Sequence, residues 1–142
     1  MYNLDKNDNP AGKMLRLFTA KLDKMGVKYT VNSERHVIML RYRGDHFKEL
    51  AFTFTFDKDG KSVSLRVFSI AKFKDDYLSY AYRFCNKMNV EYRWIKFYVD
   101  KDNELTAAMD AVINPETVGE ECFEILARAV TIVDDVYGKL NL

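Results

Sequence analysis

Reactive residues are scarce in this chain of 142 residues, which has two histidines, two cysteines and one tryptophan. Cys85 and Cys122 are too few for a disulfide framework or a metal cluster. His36 and His46 stand outside any HExxH or cysteine-rich context and have no evident third group. Zinc and a histidine-centred active site are therefore not expected. Six glycines are scattered singly, so a glycine-rich phosphate loop is missing. An excess of one charge is missing too: 22 basic residues face 21 acidic ones, for a net charge of +1. Nucleic-acid domains carry a clustered basic excess, and nucleic acid is not an expected partner. No apolar run approaches the ~20 residues that span a bilayer. The polar start, Met1 to Asn9, does not read as a signal peptide. The expectation is a cytoplasmic protein with no membrane association, no cofactor and no metal.

Aromatic side chains are what the sequence has in quantity, with ten Phe and nine Tyr. They bury large areas in cores and interfaces. A chain of this length forms one domain and buries roughly 70% of its unfolded surface.

The pattern of the chain then gives the elements. Residues 1–9 read as a flexible arm and 10–142 as a single domain. Asn9-Pro10 is a helix start, with Asn as N-cap and Pro at the first helical position. Met14, Leu15, Phe18, Leu22 and Met25 share one helical face, and Gly26 ends the helix. A period of two follows in Val27 to Val31 and in His36 to Arg43. Gly44-Asp45 predicts a two-residue hairpin turn of type II′. Phe52, Phe54 and Phe56 alternate with Thr53 and Thr55. Asp57 to Gly60 predicts a turn with Gly in the left-handed position. Val63, Leu65 and Val67 mark a fourth strand, whose pattern slips at Phe68 and Ile70. Asp75-Asp76 open a second helix with the stripe Tyr77, Leu78, Ala81, Phe84, Cys85 and Met88. Strands over Tyr92 to Asp100 and Leu105 to Ile113 follow. Asn114-Pro115 starts a last helix that reaches about Leu140. The order α-β-β-β-β-α-β-β-α predicts an α+β two-layer sandwich, with a mainly antiparallel sheet and three helices.

Motifs that imitate chemistry have plainer explanations. Asp57 to Lys61 and the trio Asp100, Asp102 and Glu104 lack the glycine and bidentate glutamate spacing of a calcium loop, and read as turns. Arg43-Gly44-Asp45 is an adhesion tripeptide in spelling only. Both cysteines fall on apolar helix stripes, where a thiol is a small buried hydrophobe. Asp134 and Asp135 are adjacent on a helix and point to different faces. No catalytic residue is expected, and the chain reads as a non-enzyme.

One surface asks for a partner. If Ile38, Leu40, Phe52, Phe54, Leu65, Ile95 and Phe97 face the helices, their alternates face away. That second face carries Met39, Arg41, Arg66, Trp94, Lys96 and Tyr98, an aromatic and basic set of the kind enriched where binding energy concentrates. The expected role of this face, or of a strand edge beside it, is docking a second subunit or a client protein.

Particular segments in order also resemble a known family. These are Gly26-Val27-Lys28-Tyr29, then Phe84-Cys85-Asn86-Lys87-Met88-Asn89, Phe97-Tyr98-Val99-Asp100, Asn114-Pro115-Glu116 and Val133-Asp134-Asp135-Val136-Tyr137. From about Leu15 to Leu140 the chain resembles the YbjN-type family of bacterial sensory transduction regulators, whose fold is similar to that of type III secretion chaperones. The resemblance implies a small bacterial homodimer with a chaperone-like or regulatory role and no active site. Asn86 and Asn89 read as residues that end a helix. The basic face around Arg41, Arg66 and Lys96 leaves an acidic client as an option. The competing expectation is a sensor that binds a small ligand between the sheet and a helix.

Overall fold

The computed structural model describes residues 9–141, so the arm expected over residues 1–9 lies outside the described residues apart from Asn9. Asn9 caps α1 (Pro10–Lys24), its Oδ1 accepting the Gly12 N–H at 2.8 Å. At the other end Gly26 takes φ +70°, the Val27 N–H reaches Leu22 O at 2.9 Å, and the Gly26 N–H reaches Asp23 O at 3.1 Å. That pair of bonds satisfies carbonyls the helix would otherwise leave open. Met14, Leu15, Phe18 and Leu22 are buried as expected, whereas Met25 sits at the C-cap and is half exposed.

The strands are β1 (Thr30–Asn32), β2 (Val37–Tyr42), β3 (Leu50–Phe56), β4 (Ser62–Val67), β5 (Lys96–Val99) and β6 (Leu105–Val112). The second helix, α2 (Leu78–Glu91), follows a single 3₁₀ turn at Asp75–Tyr77, which leaves Tyr77 exposed and off the buried stripe. The last is α3 (Val118–Gly138). One antiparallel sheet has the order β1-β2-β3-β4-β6-β5. Three helices on such a sheet make the expected α+β sandwich. Among the described residues no helix is long and apolar enough to cross a membrane.

The register lines up Ile38, Phe54, Leu65 and Met109 across four strands, with Leu40 opposite Phe52. Helices α1 and α3 cover this side. The Phe18 ring meets Phe54 edge-on at 4.9 Å, and full burial of such a ring stabilises by about 2–3 kcal/mol. Gly119 lets α3 approach α1: a Cβ there would lie 3.1 Å from Leu17 O. Helix α2 packs against β5 at the sheet's edge.

The structure also corrects the bounds of several elements. Gly44-Asp45 is no two-residue hairpin, because β2 ends at Tyr42 opposite Leu50 and residues 43–49 form a longer strap. The cause is Phe47, which is buried against Phe52 and Tyr137 and draws the connection over the core. The slip expected at Phe68 and Ile70 is present, centred on Ser69 with φ +56°, after which Ile70 and Ala71 bond to Leu105. The fifth strand begins at Lys96 instead of Tyr92. Trp94 has φ +78° and the Ile95 N–H bonds to Arg93 O at 2.9 Å, a positive-φ γ-turn that interrupts extended backbone. Helix α3 begins at Val118, since the Asn114 side chain first holds a turn by accepting the Glu116 and Thr117 N–H groups at 3.0 and 3.1 Å. The turn at Gly60, φ +70°, is as expected.

Candidate functional site

Five of the six residues read onto the outer face lie there. Pairing Lys96↔Ala108, Arg66↔Ala108, Arg66↔Thr53 and Met39↔Thr53 places Lys96, Arg66 and Met39 in one row across the sheet. Arg41 and Tyr98 lie two positions along their own strands on the same side. Small residues, among them Ala51, Thr53, Thr55 and Ser64, fill the middle of this face. No helix covers it.

The face is not basic in effect. Arg66 Nη1 donates to Asp110 Oδ1 at 2.9 Å, and Arg41 lies 3.7 Å from Glu49. Lys96 Nζ donates to the carbonyls of Asn89 and Tyr92, both at 2.8 Å, at the C-terminal end of α2. The cations are answered locally, which removes the reason for an acidic client. Asp110 escaped the sequence reading because cross-strand register brings it to Arg66, and Glu49 because the strap over residues 43–49 returns it beside Arg41.

Trp94 departs from the expectation. Alternation from Ile95 puts it on the outer face, but the γ-turn carries its ring to the α3 side. There Arg128 lies 4.7 Å and Arg93 5.0 Å from the ring centroid. The ring is 46% exposed, so it is not sealed beneath the helix. It marks one end of an open cleft of about 620 Å³ between β6 and α3, lined also by Met109, Ala111, Ile125, Glu121 and Glu124.

Asn89 does more than end a helix. Its Oδ1 accepts the Phe97 N–H at 2.8 Å and its Nδ2 donates to Phe97 O at 3.0 Å. The carboxamide thereby pairs with the outer side of β5 as a neighbouring strand would. Exposed sheet edges invite pairing with other chains, and this contact closes one.

Among the described residues, the titratable groups near the clefts are engaged in local contacts. Burial pushes the Cys85 thiol up to about 11, and burial with nearby Glu121 pushes Cys122 up to about 12, so neither is a ready nucleophile. His36, at φ +57°, contacts the Asn9 side chain at 3.3 Å, while His46 sits in the strap with its Nδ1 3.2 Å from Asp134. The two histidines thus have separate partners. A cleft of about 470 Å³ includes Arg43, His46, Tyr92, Asp134 and Asp135. Its acids are already engaged. Asp134 accepts the His46 and Phe47 N–H groups at 2.8 and 3.3 Å, and Asp135 accepts the Tyr92 hydroxyl. Burial alone would raise the Asp134 pKa, but these donors and the His46 ring outweigh it and hold the carboxyl below its ordinary value.

Asp100, Asp102 and Glu104 bring carboxylate oxygens within 4.8 Å of one another. Asp100 already accepts the Asp102 and Glu104 N–H groups and the Thr106 hydroxyl, which hold its pKa down and complete a hairpin turn with Asn103 at φ +60°. Turn formation explains the trio.

Known proteins share this architecture. E. coli YbjN, whose structure is described as that of a "putative transcription regulator", superimposes with a TM-score of 0.59 at 11% identity, over 87% of this chain and 91% of its own. A chain of the ExsC-ExsE complex superimposes with a TM-score of 0.53 at 15% identity, over 90% of this chain and 91% of its own. At such identities the likeness is one of fold. No curated protein matches the chain in sequence. The family described as "YbjN: Putative bacterial sensory transduction regulator" matches residues 18–141, in agreement with the resemblance read from the segments above, and the chain belongs to that family.

Proposed function

We propose that this chain is a non-enzymatic protein-binding domain with a chaperone-like or regulatory role, acting as a homodimer and docking through its outer sheet face. The observation that carries the reading is a six-stranded sheet that, among the described residues, helices roof on one side only, with Met39, Arg41, Arg66, Lys96 and Tyr98 on the other side. With strands ~4.8 Å apart and ~3.3 Å per residue, that face measures roughly 25 by 20 Å. Two such faces together would bury on the order of 1,000 Å², near the lower bound of a specific interface. Locally answered charges and short hydroxyl side chains keep the face compatible with association, since Arg41, Arg66 and Lys96 each already have a partner. A chain of the same fold in the ExsC-ExsE complex supports a protein partner.

The test combines sedimentation equilibrium with recovery of the partner from the native host. Met39→Ala with Tyr98→Ala should weaken association or partner retention at unchanged melting temperature. A monomer that retains no protein overturns the proposal. A second reading, a small-ligand sensor, is favoured by the open cleft between β6 and α3. A ligand at ~100-fold its Kd would raise stability by about 2.7 kcal/mol, which a thermal-shift screen detects.

A further inference from the structure

Strand β6 runs from Leu105 to Val112, but β5 covers only its first half, the pairing ending at Lys96 opposite Ala108. Beyond that point β6 is itself the rim of the sheet. Hydrogen bonds fix the direction of its peptide groups. The Ile113 N–H donates to Lys61 O at 3.0 Å and the Leu105 N–H to Ala71 O at 2.8 Å, both on the side of β4. Peptide groups alternate in direction along a strand. Thr106, Ala108, Asp110 and Val112 therefore address the opposite side. Thr106 and Ala108 meet Tyr98 and Lys96 there. Among the described residues no strand meets Asp110 or Val112, and Val112 is 83% exposed.

Two further features bear on this gap. The γ-turn at Trp94 is what stops β5 short, and a bulky residue at positive φ is a strained choice that persists only where its surroundings enforce it. The other edges are treated differently: Asn89 closes the outer peptide of β5 at Phe97, and β1 on the far side is only 3 residues long.

The uncovered edge opens beside the cleft under α3. Its lining is apolar at Met109, Ala111 and Ile125, aromatic at Trp94, acidic at Asp110, Glu120, Glu121 and Glu124, and basic at Arg128 alone. Lys21 and Arg128 answer Glu120 and Glu124. Among the described residues Glu121 accepts only a hydroxyl, from Thr117.

We propose that the edge Met109–Val112 accepts an extended segment of a partner protein as an added strand in line with β5, carrying Lys or Arg toward Glu121. The N–H and C=O of Asp110 and Val112 supply the ladder, and alternate side chains of the added strand point into the cleft and onto the outer face. Charge complementarity selects the cation on the cleft side. This inference rests on the protein-binding reading above and specifies its chemistry.

The test uses the full chain and an acetylated, amidated peptide of alternating valine and lysine. Two controls accompany it: one with glutamate for lysine, and one N-methylated at alternate residues so that the ladder cannot form. Residue-resolved amide exchange and emission from Trp94, the one tryptophan of the chain, are the readouts. The parent peptide should slow exchange at Asp110 and Val112 about tenfold or more and shift Trp94 emission. The N-methylated peptide should bind at least about tenfold more weakly, and the glutamate peptide more weakly as well. Equal binding of the N-methylated peptide, protection at Thr30–Asn32 instead, or no protection would each overturn the inference. Val112→Pro deletes the outward N–H while sparing the bonds to β4. If that variant keeps a native partner that Met39→Ala/Tyr98→Ala loses, the added strand is wrong and protein binding stands. If the wild-type chain binds no protein at all, the protein-binding reading falls with it.

Discussion

Replacing Asn89 with alanine tests how a single carboxamide holds a sheet edge. The substitution deletes two hydrogen bonds, of 2.8 and 3.0 Å, to the Phe97 peptide. Each is worth about 1 kcal/mol net, and more where the abandoned group stays shielded from water. Alanine returns about 0.6 kcal/mol of helix propensity at that position. The Lys96 bonds to the Asn89 and Tyr92 carbonyls involve backbone and survive. The balance is a loss of roughly 1.5–2 kcal/mol, or about 5 °C in melting temperature for a domain of this size. Urea titration followed by circular dichroism measures the loss, and amide exchange at Phe97 localises it. Asn89→Asp keeps an acceptor but loses the donor and places a negative charge at the helix C-terminus, so it should be no more stable than the alanine variant. Both variants should also self-associate more with rising concentration, because an edge has been uncovered. A melting temperature within about 1 °C of wild type, with Phe97 as slowly exchanging as before, would refute the argument.

Two other outcomes follow from the site geometry. Asp134→Ala should free the strap at residues 43–49 and cost roughly 1–2 kcal/mol at neutral pH, from the lost bonds to the His46 and Phe47 N–H groups. Because the folded Asp134 pKa lies below its ordinary value, its stabilisation is complete above the usual carboxylate range near 4 and disappears as pH falls through the lowered value. The gap between wild type and variant in urea midpoint should therefore close in acid; a gap that persists unchanged at pH 2 contradicts this. Cys85 and Cys122, with thiols at about 11 and 12, should resist alkylation at pH 8 in the native protein and react at the rate of free thiols in denaturant. Rapid native labelling would show that these helix stripes open readily.

Periodicity made the helices and the buried face legible, because both depend on local spacing: Phe52, Phe54 and Leu65 are buried as their alternation requires. What it could not show was set by contacts distant in sequence. The Gly44-Asp45 turn failed because Phe47 gains more by entering the core, and Asp134, 87 residues further on, takes up the backbone it displaces. Arg66 reads as a free cation until register sets Asp110 beside it. Trp94 misleads more deeply, since alternation assumes extended backbone and the γ-turn breaks that assumption at the residue where the reading mattered. Asn89 carried a weak signal, a polar residue between Met88 and Val90 near a helix end. Its pairing with β5 depends on where α2 packs.

The placement of α3 has a consequence for biosynthesis. The six described strands leave the ribosome before α3, which covers part of their apolar side, and the strap cannot be fastened until Asp134 arrives. Until then the nascent chain shows the row from Ile38 to Leu65 with α1 as its main cover, the kind of unfinished surface that aggregates or recruits cellular folding assistance. Mutations that slow docking of the last helix should therefore lower soluble yield in cells well before they change the stability of the purified protein.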